Sequence, residues 1–183
     1  MQPSALVYSL LALALSLPVS ASASEIACHE NRFFSILEKS YAEEPGAQFT
    51  VRAVSEGKAK KGCRFKASAK DFVIGKPGDP LWFSALEGRM LVLTRSTGPQ
   101  GDLVVYDLVK RKPVLDVPSD SHEIEKDGLS FWQRIGEATA KTCPEFAEHQ
   151  ANGFGSVIVQ RKLLDLSSGE ITQTAEKRCE AVQ

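Results

Sequence analysis

Apolar residues recur at helical spacing between positions 24 and 44, where Pro45-Gly46 ends the pattern. Side chains three and four residues apart share one face of a helix. The spacing therefore predicts an amphipathic N-terminal helix that packs one face on the rest of the fold, with proline and glycine at its end. The stripe consists of Ile26, Phe33, Phe34, Leu37 and Tyr41.

After Gly46 the pattern changes to short runs of β-branched and aromatic residues that are separated by turn residues. Such runs are typical of strands. The predicted strands span 48–54, 63–67, 71–74, 81–85, 90–96, 103–108 and 113–117.

Turn residues between these runs predict hairpins. Residues 96–101 join two apolar runs, and the basic tip Lys110-Arg111-Lys112 joins the next two. A further hairpin is predicted over 124–132, because Asp127-Gly128 suits the positive φ angles of a two-residue turn. Consecutive hairpins of this kind predict an antiparallel meander.

The C-terminal part predicts one short helix and a last hairpin. Residues 142–153 carry Pro144 in the first turn and Asn152-Gly153 at the end, which favours a helix between them. The hairpin covers 157–166 and 170–174. The predicted fold class is mainly β (α+β): an antiparallel meander or sandwich-like sheet with an N-terminal amphipathic helix, a short helix in the C-terminal half and two disulfides.

Two phrases resemble the strand-turn-strand phrasing of β-propeller blades. They are VVYDLVKRKPVL at 104–115 and RKLLDLSSGEI at 161–171. A chain of 183 residues can form only a few blades of four strands. The resemblance therefore implies antiparallel meanders and assigns no family.

The N-terminus predicts export. An apolar run at 5–17 is too short to cross a bilayer as a helix, and Ala21-Ser22-Ala23 supplies the small side chains of a cleavage site. We expect a signal peptide over 1–23 and a single β-rich exported domain over 24–183, located in the periplasm or secreted. An alternative makes Cys28 the lipidated cysteine of a lipoprotein.

All four cysteines lie after the predicted cleavage site. An even number in an exported chain predicts two disulfides, for which three connectivities are possible. Spacing favours the local pairs Cys28 with Cys63 and Cys143 with Cys179.

Charge is balanced overall but unevenly distributed. The formal net charge of −1 argues against a dedicated nucleic-acid binder. Residues 52–76 carry eight basic and two acidic side chains, whereas 120–148 carry three basic and seven acidic ones. Such asymmetry can steer a charged partner. The candidate binding residues are Lys58, Lys60, Lys61 and Arg64, with the aromatic anchors Trp82 and Trp132.

No catalytic, cofactor or metal motif is complete in the sequence. The nucleophile-elbow and phosphate-loop patterns are absent. Glu145 and His149 share a helix face and Glu148 is adjacent, but no third metal ligand is identifiable. His122 lies on a predicted strand on the side opposite to its neighbouring glutamates.

Three functions remain open from sequence. The leading hypothesis is a noncatalytic periplasmic or secreted binding protein that acts on another envelope protein as an inhibitor, immunity factor or assembly accessory. It requires no cofactor and no transmembrane segment in the mature chain. The alternative is a small envelope hydrolase or metal-dependent enzyme that uses His122, His149 and nearby carboxylates. The third is a small-ligand carrier with its pocket between the sheet and the N-terminal helix.

Overall fold

The computed structural model describes residues 24–54, 68–126 and 128–183. Within these ranges the chain forms twelve strands and one short helix. In chain order they are β1 (Ile26–Glu30), β2 (Phe34–Tyr41), β3 (Glu44–Ala53), β4 (Phe72–Ile74), β5 (Leu81–Glu87), β6 (Met90–Arg95), β7 (Asp102–Asp107), β8 (Lys112–Pro118), β9 (His122–Glu125), β10 (Gly128–Glu137), α1 (Phe146–Ala151), β11 (Gly155–Asp165) and β12 (Ile171–Val182).

The strands form three antiparallel sheets of four strands each, and in every sheet the strand order follows the chain. The first sheet contains β1 to β4, the second β5 to β8 and the third β9 to β12. Short connections between neighbouring strands favour this local, antiparallel arrangement. The prediction of a mainly β fold built on antiparallel meanders is confirmed.

The second sheet lies between the other two. One of its faces packs on the first sheet through a cluster that contains Leu91 and Leu93, and its other face packs on the third sheet through Met90 and Val92. The first four side chains of β6, Met90 to Leu93, are fully buried. A continuous apolar run is therefore required here, because both faces of the strand are covered.

The predicted N-terminal helix is wrong, since residues 24–44 contain β1 and β2 and the start of β3. The Asn31 carboxamide accepts hydrogen bonds from the N–H groups of Phe33 at 2.8 Å and Phe34 at 2.9 Å, which turns the chain between β1 and β2. Ile36, which does not belong to the helical stripe, is fully buried. Pairing with β3 and burial of alternate side chains outweigh the local helical spacing. The ligand pocket predicted between the sheet and this helix is lost with it.

Most other predicted elements are confirmed. The bounds of β5 to β8 agree with the predicted strands to within two residues, and the hairpins of β9 with β10 and β11 with β12 are present. The short helix is α1, six residues long. The predicted strand 63–67 lies outside the described residues.

One disulfide, not two, joins cysteines within the described ranges. Cys143 and Cys179 are bonded, with their Cα atoms 5.4 Å apart, and this bond ties the loop before α1 to β12. Cys28 is not a free thiol, but Cys63 lies outside the described residues, so the second pair stays a prediction. The signal peptide at 1–23 also lies outside them. No helix in the described ranges has the length and apolar content to cross a membrane.

The turn β7–β8 and the turn β11–β12 have the same construction. The Asp107 carboxylate accepts hydrogen bonds from the N–H groups two and three residues further on, both at 3.0 Å, and Asp165 does the same at 2.7 and 2.8 Å. Four residues after each aspartate, the backbone has a positive φ, 54° at Arg111 and 82° at Gly169. The two propeller-like segments thus contain turns of the same type, and each turn joins the last two strands of its sheet.

Candidate binding surface

Four exposed basic residues lie together where the first and second sheets meet. They are Lys70, Lys110, Arg111 and Lys112, and they are called the basic end below. The Arg111 side chain links the two sheets: its Nη2 atom donates to the Lys70 carbonyl oxygen at 3.4 Å. Its guanidinium carbon lies 5.1 Å from the centre of the Phe72 ring.

A small groove of about 240 Å³ opens at the basic end. Its floor is apolar, formed by Val51 and Phe72 of the first sheet and by Leu108 and Val109 of the β7–β8 turn, and Lys70 and Arg111 stand at its rim. The Val109 side chain is 64% exposed, unusually high for a valine. The groove therefore combines an apolar floor with positive charge.

The opposite end of the second sheet is acidic. Arg95 forms a bidentate ion pair with Asp116, both bonds 2.9 Å, and Asp102 and Asp79 lie 3.4 and 4.0 Å from its guanidinium. The hydrogen bonds that Arg95 donates to Asp116, together with the charges of the neighbouring carboxylates, raise the pKa of Arg95 against the effect of burial. Three carboxylates around one cation leave a negative surface here, about 20 Å along β7 from the basic end.

The predicted basic residues Lys58, Lys60, Lys61 and Arg64 lie outside the described residues. Their segment leaves the described chain after Val54 in the β3–β4 connection and re-enters at Ser68. Both β3 and β4 contribute side chains to the groove. A role of the segment in binding stays a prediction.

The two predicted aromatic anchors lie on different sheets. Trp82, in β5, is 42% exposed and donates from Nε1 to the Ser96 carbonyl oxygen at 3.0 Å. Trp132, in β10, lies under the Arg178 guanidinium, whose carbon is 4.0 Å from the ring centre. The neighbours of both tryptophans, Phe83 and Phe131, pack on the core clusters. Adjacent side chains in a strand point to opposite faces, so each phenylalanine faces the core while the neighbouring tryptophan points away from it.

His122 faces the second sheet, where its Nε2 atom and the Ser84 hydroxyl oxygen are 2.7 Å apart. Burial lowers the pKa of His122, which favours the neutral imidazole. Such an imidazole can accept the proton of a serine hydroxyl. Within the described ranges, however, His122 has no hydrogen bond or ion pair with a carboxylate that would orient it as in a triad.

His149 lies close to the Cys143–Cys179 disulfide. Ligand atoms of Cys143, Cys179 and His149 lie within 4.8 Å of one another. The two sulfurs are bonded to each other, so they offer no thiolate, and His149 Nδ1 pairs with the Ser156 hydroxyl at 2.9 Å. Glu145, its predicted partner, lies beside the disulfide, with a carboxylate oxygen 3.9 Å from Cys143 Sγ. This arrangement fixes α1 on β11 and favours no metal.

Sequence reasoning noted the basic tip at 110–112 but missed the groove and the Ser84–His122 pair. The groove combines residues of β3, β4 and a turn that are far apart in the chain, so no spacing pattern marks it. One local signal was available: the phrases DLVKR and DLSSG place Arg111 where the related turn has Gly169.

Comparison with protein-family models, with curated proteins and with solved structures found no match to this chain. The class that the fold itself defines is a mainly β protein of three stacked antiparallel meanders. A fold of this class assigns no function by itself, because function depends on the particular sites and surfaces that the fold carries.

Proposed function

We propose that this protein is a noncatalytic binding protein that acts on another envelope protein, as an inhibitor, immunity factor or assembly accessory, in the periplasm or after secretion. The observation that supports it most is the separation of charge along the strands of the second sheet, with the basic end at one end of β7 and the Arg95 carboxylate cluster at the other. The second disulfide, between Cys28 and Cys63, forms part of the proposal as a stabiliser of the exported domain.

Charge separation of this kind suits recognition of a macromolecule. Complementary potentials raise the rate of encounter and reject partners of the wrong charge. The segment 55–67 adds five basic residues against one acidic residue to the connection between β3 and β4. The groove at the basic end supplies apolar area, which contributes affinity once the partner is docked.

The proposal is tested by immobilising the chain 24–183 with its disulfides intact and exposing it to native envelope extract at about 0.15 M salt. We expect one stoichiometric protein to be retained and to be released at about 1 M salt, because screening weakens charge attraction. The double variant Lys110→Glu and Lys112→Glu should lose retention. The matched control, Lys141→Glu and Lys177→Glu, makes the same change in net charge at exposed residues elsewhere and should keep it. No protein retained by the unaltered chain would contradict the proposal.

The Ser84–His122 pair favours one second candidate, a small hydrolase. In that case the protein would cleave a simple ester such as p-nitrophenyl acetate, and both Ser84→Ala and His122→Ala would abolish the activity. Turnover that is unchanged by either substitution would exclude this pair as the catalytic unit.

A further inference from the structure

Arg111 lies in the β7–β8 turn at the position that Gly169 occupies in the β11–β12 turn. Both turns begin with an aspartate that accepts the same two N–H bonds, and both have a positive φ four residues later. Within the described ranges Arg111 is the one residue other than glycine at positive φ. An L side chain is disfavoured there, so the arginine is retained at a cost in stability that Gly169 does not incur.

Contacts within the protein do not compensate well for this cost. The hydrogen bond from Arg111 to the Lys70 carbonyl is long, 3.4 Å, and the contact with the Phe72 ring is made by an exposed side chain. Arg111 forms no ion pair with any carboxylate in the described part of the chain. Most of its guanidinium donors therefore face solvent at the rim of the groove.

The carboxylates near the groove are already occupied. Asp71 accepts two hydrogen bonds from Arg52, at 2.7 and 2.6 Å. Asp107 is fully buried and faces Arg89 at 3.4 Å and Lys110 at 3.7 Å. The positive charge of Arg111 and Lys70 is thus not neutralised within the described residues, and it attracts carboxylates from outside.

The size of the groove selects the occupant. Its volume of about 240 Å³ lies below the roughly 300–1,000 Å³ of typical small-molecule pockets. It is also open to solvent, since Val109, which forms its apolar floor together with Phe72 and Leu108, is exposed. A shallow apolar groove of this size suits a single large side chain that projects from a protein surface.

We infer that Arg111, Lys70 and this groove dock an acidic segment of a partner protein, with one large apolar side chain in the groove and flanking carboxylates on the two cations. The planar guanidinium of Arg111 can bind a carboxylate through two parallel N–H bonds. The inference rests on the proposed function and deepens it, because it states the chemistry of the partner segment.

The test titrates the ¹⁵N-labelled chain 24–183 with blocked pentapeptides and follows backbone amide shifts. The first peptide has phenylalanine between two pairs of acidic residues. The second replaces phenylalanine with alanine, and the third replaces the acids with lysines. We expect saturable shifts at 109–112 and at Val51 and Phe72 with the first peptide, and at least tenfold weaker binding of the other two.

Arg111→Gly separates a binding role from a structural one. Because glycine relieves the backbone strain, we expect the melting temperature of this variant to be equal to or higher than that of the unaltered chain, while peptide binding weakens at least tenfold. Lys70→Gln, which leaves the turn unchanged, should also weaken binding. Lys141→Gly, a loss of one exposed cation elsewhere, should bind like the unaltered chain.

Any one of several results would overturn the inference. The first is the absence of groove shifts at millimolar peptide, and the second is unchanged binding by both Arg111→Gly and Lys70→Gln. A fall in the melting temperature of Arg111→Gly would overturn it too, because it would mark the arginine as a fold element. Tighter occupation of the groove by laurate than by the acidic peptide would also overturn it. If an envelope protein is retained equally well by the unaltered chain and by Arg111→Gly, this inference fails but the proposed function stands. If the peptide shifts the groove amides but no envelope protein is retained, the proposed function fails but this inference stands.

Discussion

Replacing Asp107 by alanine should destabilise the protein far more than the same change at Asp165. The two carboxylates make the same pair of turn hydrogen bonds, so the comparison holds local geometry constant. Asp107 is fully buried, whereas Asp165 is exposed. Burial of Asp107 and its ion pairs with Arg89 and Lys110 therefore decide the difference.

The expected loss in the free energy of unfolding follows from the groups that each alanine substitution leaves without a partner. Without the Asp107 carboxylate, two partly buried N–H groups lose a charged acceptor, and Arg89, whose Nε atom lies 3.4 Å from Asp107 Oδ2, loses its counter-charge. Hydrogen bonds to charged groups contribute about 1.5–3 kcal/mol each, and removal of a costly buried charge offsets part of that. We expect a loss of about 3 kcal/mol for Asp107→Ala. At Asp165 water replaces the carboxylate as an acceptor, so we expect a much smaller loss.

The assay is urea unfolding followed by circular dichroism, with disulfides intact and free energies from linear extrapolation. Asp107→Asn is the matched control, because its amide oxygen keeps the turn hydrogen bonds and should lose less than alanine. If Asp107→Ala and Asp165→Ala lose the same free energy within about 0.5 kcal/mol, burial does not set the strength of these turns and the reasoning fails.

Three further predictions concern stability. Gly46→Ala should cost at least about 3 kcal/mol or prevent folding, because Gly46 has a φ of 78° and the new Cβ would lie 2.3 Å from a backbone oxygen. The control is Gly88→Ala, which also has a positive φ but has no atom within 4 Å of the new Cβ. We expect it to cost about 1 kcal/mol in the same unfolding assay. Arg52, which is hydrogen-bonded to Asp71, lowers the pKa of the Asp71 carboxyl from 3.8 to about 2. The pair should therefore contribute about 1–2 kcal/mol to the free energy of unfolding above pH 4, and this contribution should disappear as the pH falls through 2. Acid titration of Asp71→Asn should lack this step. Replacing both Cys143 and Cys179 by serine should cost about 4 kcal/mol, because the disulfide joins residues 36 positions apart. Hydrogen exchange should then show α1 opening first. Equal protection of the α1 amides with and without the disulfide would contradict this.

The hairpins of this fold were predictable because turn residues mark them locally. The β9–β10 hairpin is present as predicted, but Gly128 lies in β10 opposite Glu125 and is not at positive φ, so the turn residues predicted for it are wrong. The tip predicted at 110–112 overlaps the β7–β8 turn, which ends where β8 begins at Lys112. Alternation along a strand also predicts that the adjacent aromatics at 82–83 and 131–132 point to opposite faces, although it leaves open which ring faces the core. Each of these features depends on residues a few positions apart.

The N-terminal segment shows where local reasoning fails. Its apolar spacing satisfies a helix, but the Asn31 turn and the burial of Ile36 belong to a strand pair. The deciding interactions are the hydrogen bonds with β3 and the contact with the second sheet, and both involve residues distant in the sequence. Secondary structure here is set by the partner strands.

The sequence by itself determined the antiparallel hairpins, the Cys143–Cys179 pair favoured by spacing and the basic tip at 110–112, because turn chemistry, loop closure and charge act over short separations. Only the tertiary structure decided that the second sheet is covered on both faces, that Ser84 meets His122, and that Arg111 stands over Phe72 beside an apolar groove. Those juxtapositions join residues from different sheets, and the stacking of sheets depends on the sum of many buried side chains rather than on any one pattern in the chain.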